Sequence, residues 1–419
     1  MAATKVTHVT TKSYTGKDRR RIMAAASLGW GLEFFDLQLV SLLATPIADT
    51  FGVSKGQIGA LFTAQLVATA FGGIIFGRLA DVYGRKRVLT WTIWVFGLST
   101  VLSAFAPTFW VFLLLRIVTG FGTGGEWAVG FSLLNEAWTP KRRGLAGGAV
   151  QSSLWFGYAA AILVTSTVTD EHWRWAFVIG GLPVLAAIWV RRSCPESKQW
   201  LAMRAGVESG KVSAQQNGLR MLARPEWLRI VVIATLVVMG GQYSYYVYSS
   251  WMPTYLKEDL GVSRDDANTI LYISAAIALV SYLASGGLSD KIGRRSSLIL
   301  FAVVQLVGFG LFTMFNINES SISLIVFSYF VISFGLGYFG IFGAWLGELF
   351  PTAIRASGSS VSYSIGRGIA STGPLIVGIL AAKHGLAGGI STGAIAVVLM
   401  ILFSFFLKDQ KGREITAEH

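Results

Sequence analysis

Five ionisable residues stand inside long apolar stretches of this 419-residue chain: Glu33, Asp36, Arg116, Glu126 and Arg367. A charge at the centre of a bilayer costs about 3 kcal/mol or more on insertion scales, so such residues face a partner or a cavity. A buried carboxyl can hold or release a proton, because desolvation favours its neutral form and a nearby guanidinium favours the charged one. A guanidinium presents a planar fork of donors that matches a carboxylate bidentately. The chemistry on offer is proton carriage by the acids and anion anchoring by Arg367. Purely structural ion pairs are the alternative.

Helix rise indicates which of these groups can meet. Asp36 lies about 21 Å along a span that starts near residue 22, at 1.5 Å per residue. Arg116 lies about 10 Å along a span that starts near residue 109 and runs the other way. In a core of roughly 30 Å those depths nearly coincide, so the two are expected to pair. Glu33 precedes Asp36 on nearly the same helix face. Glu126 lies about 15 Å beyond Arg116, and Arg367 about 15 Å into its own span, near the midplane. Asp36, poised by Arg116, is the expected main proton acceptor, with Glu33 and Glu126 as reserves.

Hydrophobic residues make up 53% of the chain and charged residues 14%. A soluble chain carries roughly 25% charged residues. Twelve apolar spans are read near residues 22–48, 57–79, 88–105, 109–135, 144–168, 174–190, 229–255, 267–288, 297–315, 321–347, 357–381 and 387–407. The chain thus divides into a tail (1–21), a six-helix bundle (22–191), a polar linker (192–228), a second bundle (229–407) and a tail (408–419). The linker shows little apolar periodicity and is expected to lie on the membrane surface. Of 35 Lys and Arg, 28 fall on the side that holds both tails and the linker, and five (Lys55, Arg174, Lys257, Arg264, Lys383) on the other. That asymmetry predicts a multi-pass protein with both termini cytoplasmic. It also turns the net charge of +13 away from nucleic acid. The first span follows Arg19-Arg20-Arg21 and is too long for a removable signal peptide.

A cassette occurs twice, 209 residues apart: Gly77-Arg78-Leu79-Ala80-Asp81-Val82-Tyr83-Gly84-Arg85 and Gly286-Gly287-Leu288-Ser289-Asp290-Lys291-Ile292-Gly293-Arg294. Glu136 and Arg143 after the fourth span return as Glu348 and Arg355 after the tenth, offset by 212. A repeat of half the chain implies two related halves. The spacing Gly-x-Leu-x-Asp-x-x-Gly-Arg resembles the loop signature of the major facilitator superfamily. That resemblance implies an all-α protein of twelve transmembrane helices in two pseudo-symmetric bundles, and transport by alternating access. It also implies that Gly77, Asp81, Gly84, Arg85, Glu136, Arg143, Gly286, Asp290, Gly293, Arg294, Glu348 and Arg355 form a gate and conformational latch. Topology control and helix capping are the plainer reading of these residues.

Within that superfamily, Pro195-Glu196-Ser197-Lys198-Gln199-Trp200-Leu201 and Arg116-Ile117-Val118-Thr119-Gly120-Phe121-Gly122-Thr123-Gly124 resemble sugar porters. In those carriers the matching Arg pairs with a first-helix Asp that takes up the coupling proton. Gln151 matches a substrate-contacting Gln of the fifth helix. Arg367, in Arg367-Gly368-Ile369-Ala370-Ser371-Thr372-Gly373-Pro374, instead resembles organic-anion, nicotinate and aromatic-acid carriers. Gly124-Gly125-Glu126-Trp127 and Trp251-Met252-Pro253-Thr254-Tyr255-Leu256 are similar to proton symporters for sialate, lactate and other organic acids.

The expectation is a proton-coupled symporter of a small organic anion, a carboxylate. A neutral sugar or similar polar metabolite is the second reading. Arg367, Gln151, Gln242, Tyr243, Tyr246, Trp155 and Tyr363 are the expected cargo contacts, since aromatic and amide groups at one level suit a small planar or hydroxylated molecule. Proton aside, no cofactor is implied. The four histidines (His8, His172, His384, His419) lie in loops or tails, so neither a metal site nor a histidine relay fits. No nucleophile–base grouping argues for an enzyme. Cys194 stands alone and cannot form an intrachain disulfide. The expected partners are the cargo and the lipid bilayer, not nucleic acid, for a functional monomer in the plasma (cell inner) membrane.

Overall fold

Apolar runs of this length can satisfy their backbone in hydrocarbon only as helices. The computed structural model describes residues 14–53, 55–168, 170–181, 183–209, 218–318 and 321–409, and its elements are helices throughout. In the first half the spans are Gly16–Leu42 continuing into Ala44–Phe51, Lys55–Tyr83, Arg85–Ser103, Phe109–Ala137, Arg143–Thr167, and Arg174–Ile179 with Pro183–Ser193. In the second they are Pro225–Thr254, Arg264–Ile292, Arg294–Ile317, a tenth span built of Ile322–Gly335, Leu336–Tyr338 and Phe339–Leu349, then Arg355–Ala370 running on into Gly373–Ser391, and Gly393–Ser404. Gly385, at φ 68°, turns the chain between the last two spans, where a left-handed backbone favours glycine. Among the described residues, eight of the twelve are apolar enough to cross a bilayer by length and composition alone. The first and fourth carry the buried charges, the third opens on Arg85-Lys86-Arg87, and the sixth is interrupted after Ile179.

Several helices begin earlier than the apolar windows predict. The third, fifth, ninth and eleventh start on Arg85, Arg143, Arg294 and Arg355 themselves. Each of these arginines is buried among acids, so it belongs to the helix rather than to a solvated loop. The linker also departs from expectation. Residues Lys198–Glu208 and Gly218–Leu222 are helical. Trp200 is buried and donates Nε1–H to the Asp81 carbonyl at 2.9 Å, which docks the linker onto the first cassette. Residues 210–217, both tail ends and His8 and His419 lie outside the described residues.

The two bundles meet along two seams: the fifth span against the eighth, and the second against the eleventh. Small residues make both possible. A Cβ on Gly148 would fall 2.6 Å from the Tyr282 carbonyl oxygen, and one on Gly77 would fall 2.6 Å from the Ser360 Cβ. Phe71, Phe156, Leu163, Ile379 and Ile395 point outward and stay exposed, as a hydrocarbon-facing surface requires.

Candidate functional site

At the cassette end the charged residues lock the halves together. The structure swaps the pairs between halves: Glu136 binds Arg355 at 2.7 Å and Arg143 binds Glu348 at 2.8 Å. Arg85 adds Asp81 at 3.1 Å and Glu136 at 3.3 Å; Arg294 adds Asp290 at 2.6 Å and Glu348 at 2.9 Å. Each cassette Asp also reaches the opposite half. Asp81 accepts from the Ser357 N–H and hydroxyl at 2.9 and 2.6 Å; Asp290 accepts from the Gly144 and Leu145 N–H groups at 2.8 and 2.9 Å. Those amides open the eleventh and fifth helices, where unpaired N–H groups and the helix dipole favour an anion. Gly84 and Gly293, at φ 101° and 99°, make the turns that bring Arg85 and Arg294 inward. Glu196 accepts from the Arg85 and Lys86 N–H groups, as Asp409 does from Arg294 and Arg295.

Asp81→Asn and Asp290→Asn keep the shape of the side chain but lose its charge. We expect slowed transport with cargo affinity within about threefold, under 1 kcal/mol. A large loss of binding in well-folded protein would refute a latch separate from the cargo site. Cys194 is buried and its thiol is pushed up to about 12 by that burial, so cysteines introduced to follow opening have little reactive background.

Beyond this closed end lies a cavity of about 550 Å³ between the halves. Gln151 and Tyr363 mark its end nearer the cassettes, each eight residues from its helix start at Arg143 or Arg355. Trp127 stacks on Tyr363, with ring centres 3.7 Å apart, and donates to Gln151 Oε1 at 3.2 Å. Gln242 Nε2 donates to the Tyr363 hydroxyl at 2.8 Å. Arg367, Tyr246 and Trp155 complete the predicted residues that line the cavity.

Tyr243 does not line it. Its hydroxyl faces Thr392 at 3.4 Å and its ring lies against Gly373. Helical spacing carries Gln242, Tyr245, Tyr246 and Ser249 to the cavity and turns Tyr243 away. Trp30, Phe34 and Gln38 of the first span, and Tyr282 and Phe339, line the wall without sequence reasoning pointing to them, and Tyr158 joins Trp155 there. The i, i+4, i+8 spacing of the first three was the available signal.

The intramembrane charges fall into two pairs and one lone acid. Arg116 Nη1 lies 3.0 and 3.2 Å from the two Asp36 oxygens, and Thr100 donates to Asp36 at 2.5 Å. Ser103 and the faces of Phe112 and Phe177 hold the guanidinium. Both residues are fully buried within the first half, away from the cavity lining. Glu33 does not join them. It crosses to the second half, where Arg367 Nη1 donates to its Oε1 at 2.9 Å. Arg367 Nε donates to the Tyr246 hydroxyl at 3.2 Å. Glu126 accepts a short hydrogen bond from Thr92, and its other oxygen abuts Gly29 of the first span.

The sequence profile of the Major Facilitator Superfamily matches residues 22–371 and again 231–418. The chain belongs to the Major Facilitator Superfamily. Its twelve helices in two bundles are that fold, and its relatives are transporters of small metabolites, not enzymes. The chain is 30% identical over 395 residues to the "Probable 4-methylmuconolactone transporter" of Cupriavidus pinatubonensis, covering 93% of this chain and 90% of that protein. It is 26% identical over 379 residues to the cis,cis-muconate transport protein of Acinetobacter baylyi, covering 90% and 91%. Among solved structures, the proton:xylose symporter XylE superimposes with a TM-score of 0.81 at 20% identity, over 96% of this chain and 98% of that one. At that identity the likeness is one of fold. As a facilitator protein, the chain is closed at the cassette end and hollow beyond it.

Proposed function

We propose that this protein is a proton-coupled symporter that takes a small organic carboxylate across the plasma membrane by alternating access, with the cassette face and both termini cytoplasmic. The observation that carries the reading is Arg367, a guanidinium at the wall of an inter-bundle cavity whose other walls are aromatic and amide groups. Such a cavity suits one anionic group and an apolar or planar body. Small-metabolite relatives, one of them named for muconate, support the class of cargo. Asp36, paired with Arg116, is the carboxyl whose protonation governs the conformational cycle. The latch holds the cytoplasmic mouth shut while the cavity receives cargo.

Reconstitution in liposomes tests this reading. An acid-outside pH gradient is expected to drive accumulation of labelled benzoate or cis,cis-muconate, and xylose is expected to stay at equilibrium. Accumulation of xylose without any carboxylate would replace the anion reading with the neutral-sugar one.

A further inference from the structure

Arg367 is the fork on which the cargo would be held, yet in the structure Glu33 already holds it. The pair joins the first span to the eleventh, next to the cavity-lining Phe34 and about one turn from Trp30. It is built differently from the Asp36–Arg116 pair. Asp36 has both oxygens close to Arg116 and a third donor in Thr100, and neither partner lines the cavity. Among the described residues Glu33 is gripped through Oε1 alone, while Oε2 is buried with no hydrogen-bond partner. Its arginine does line the cavity. A carboxylate held at one oxygen, on a guanidinium that a ligand can reach, is open to replacement by a ligand offering two.

Charge decides what must follow. Each ion pair is neutral, and a cargo carboxylate that takes Arg367 leaves Glu33 buried without its cation. An unpaired buried charge is costly, so the displaced group is driven to neutralise. Among the described residues, the groups around Glu33 supply no other free cation. The eleventh span brings Arg367 and Tyr363, and the seventh brings Tyr246 against Arg367. The fourth brings Glu126, against Gly29 of the first span, and, nearly three turns away along the fourth, Arg116 already committed to Asp36. The fifth, packed along the first, brings Tyr158 but no charge between Gly144 and Thr167.

We propose that Glu33 is an internal stand-in for the cargo. The cargo carboxylate takes Arg367 from Glu33, and the freed Glu33 takes one proton through the water that fills the cavity. The proton comes from the medium, relayed rather than supplied by water, so one anion and one proton enter together, no hydroxide is left behind and the site stays neutral. The proposal rests on the organic-anion reading above and places the proton of the binding step on Glu33, leaving Asp36 for the conformational step. It also explains selectivity, since a neutral isostere has no charge with which to displace Glu33.

Titration calorimetry on the full chain in lipid nanodiscs tests it, with benzoate and its neutral isostere benzamide in buffers of different ionisation enthalpy. The wild-type protein is expected to take up about one proton per benzoate, so that Kd rises close to tenfold per pH unit above neutrality. Benzamide should not compete. Glu33→Gln should bind benzoate with no proton uptake and a Kd that changes less than about twofold over the same range, and Glu33→Asp should restore the uptake. Benzoate binding to Glu33→Gln with the wild-type proton count overturns the inference and leaves the anion reading standing. Failure of benzoate and cis,cis-muconate to bind wild-type protein, or undiminished binding in Arg367→Ala, overturns both. Should Glu33→Gln not fold, infrared difference spectra of wild-type protein decide: benzoate must bring up a carboxylic-acid C=O band that shifts with ¹³C-labelled glutamate, and its absence sinks the idea.

Discussion

Arg367→Ala is expected to abolish carboxylate binding, and Arg367→Lys to weaken it tenfold or more, roughly 1.4 kcal/mol. The fork is the reason. Lysine keeps the positive charge but offers a point where arginine offers two parallel donors. Alanine has a second consequence, because it strands Glu33 in the interior. Removing one partner of a buried pair costs about 3–5 kcal/mol, so Arg367→Ala should also melt earlier. Arg367→Ala combined with Glu33→Gln removes the stranded charge, and it should recover thermal stability without recovering binding. That separation distinguishes a cargo anchor from a brace between the halves. Unchanged affinity in both Arg367→Lys and Arg367→Ala would sink the assignment.

Most of the architecture was legible because hydropathy and repeat spacing are local. The twelve spans, the halves and the cassettes can be read from short windows of sequence. Helix rise also brought Asp36 and Arg116 to one level, and the structure places them in contact. The same arithmetic puts Glu33 roughly 16 Å along the first span, the level of Arg367, but depth carries no azimuth. Which face of the first helix looks across to the eleventh depends on how the bundles dock, and no local pattern encodes that. The latch was obscured for the same reason. Glu136 and Arg143 read as neighbours in one half, whereas each finds its partner in the other. The linker helices were missed because few of their residues are buried: Trp200 and Met203 in Lys198–Glu208, Leu222 in Gly218–Leu222. So small an apolar face leaves little periodicity to detect.

Asp36→Asn is expected to leave cargo exchange across liposomes intact while pH-driven accumulation vanishes. The two intramembrane ion pairs balance and Glu126 has no cation, so an arriving monocarboxylate adds a formal charge of −1 with no free counter-charge among the described residues. Uncompensated charge in a dehydrated interior is unfavourable, so on the proposed function a proton is expected to accompany the anion. Asp36 is sealed from the cavity with the cassette end shut, so a proton on it would be expected to move with the rocking of the bundles. Asparagine mimics the protonated side chain and leaves Arg116 without an anion. Loaded carrier can still cross in both directions, which is all that exchange requires. On the proposed function, return of the empty carrier is expected to need the charged Asp36–Arg116 pair, and without that return no gradient would build. Counterflow and net uptake measured in one proteoliposome preparation separate the two. If Asp36→Asn still accumulates benzoate when only a proton gradient is supplied, the cycle does not run through Asp36, and Glu33 alone would have to carry the coupling.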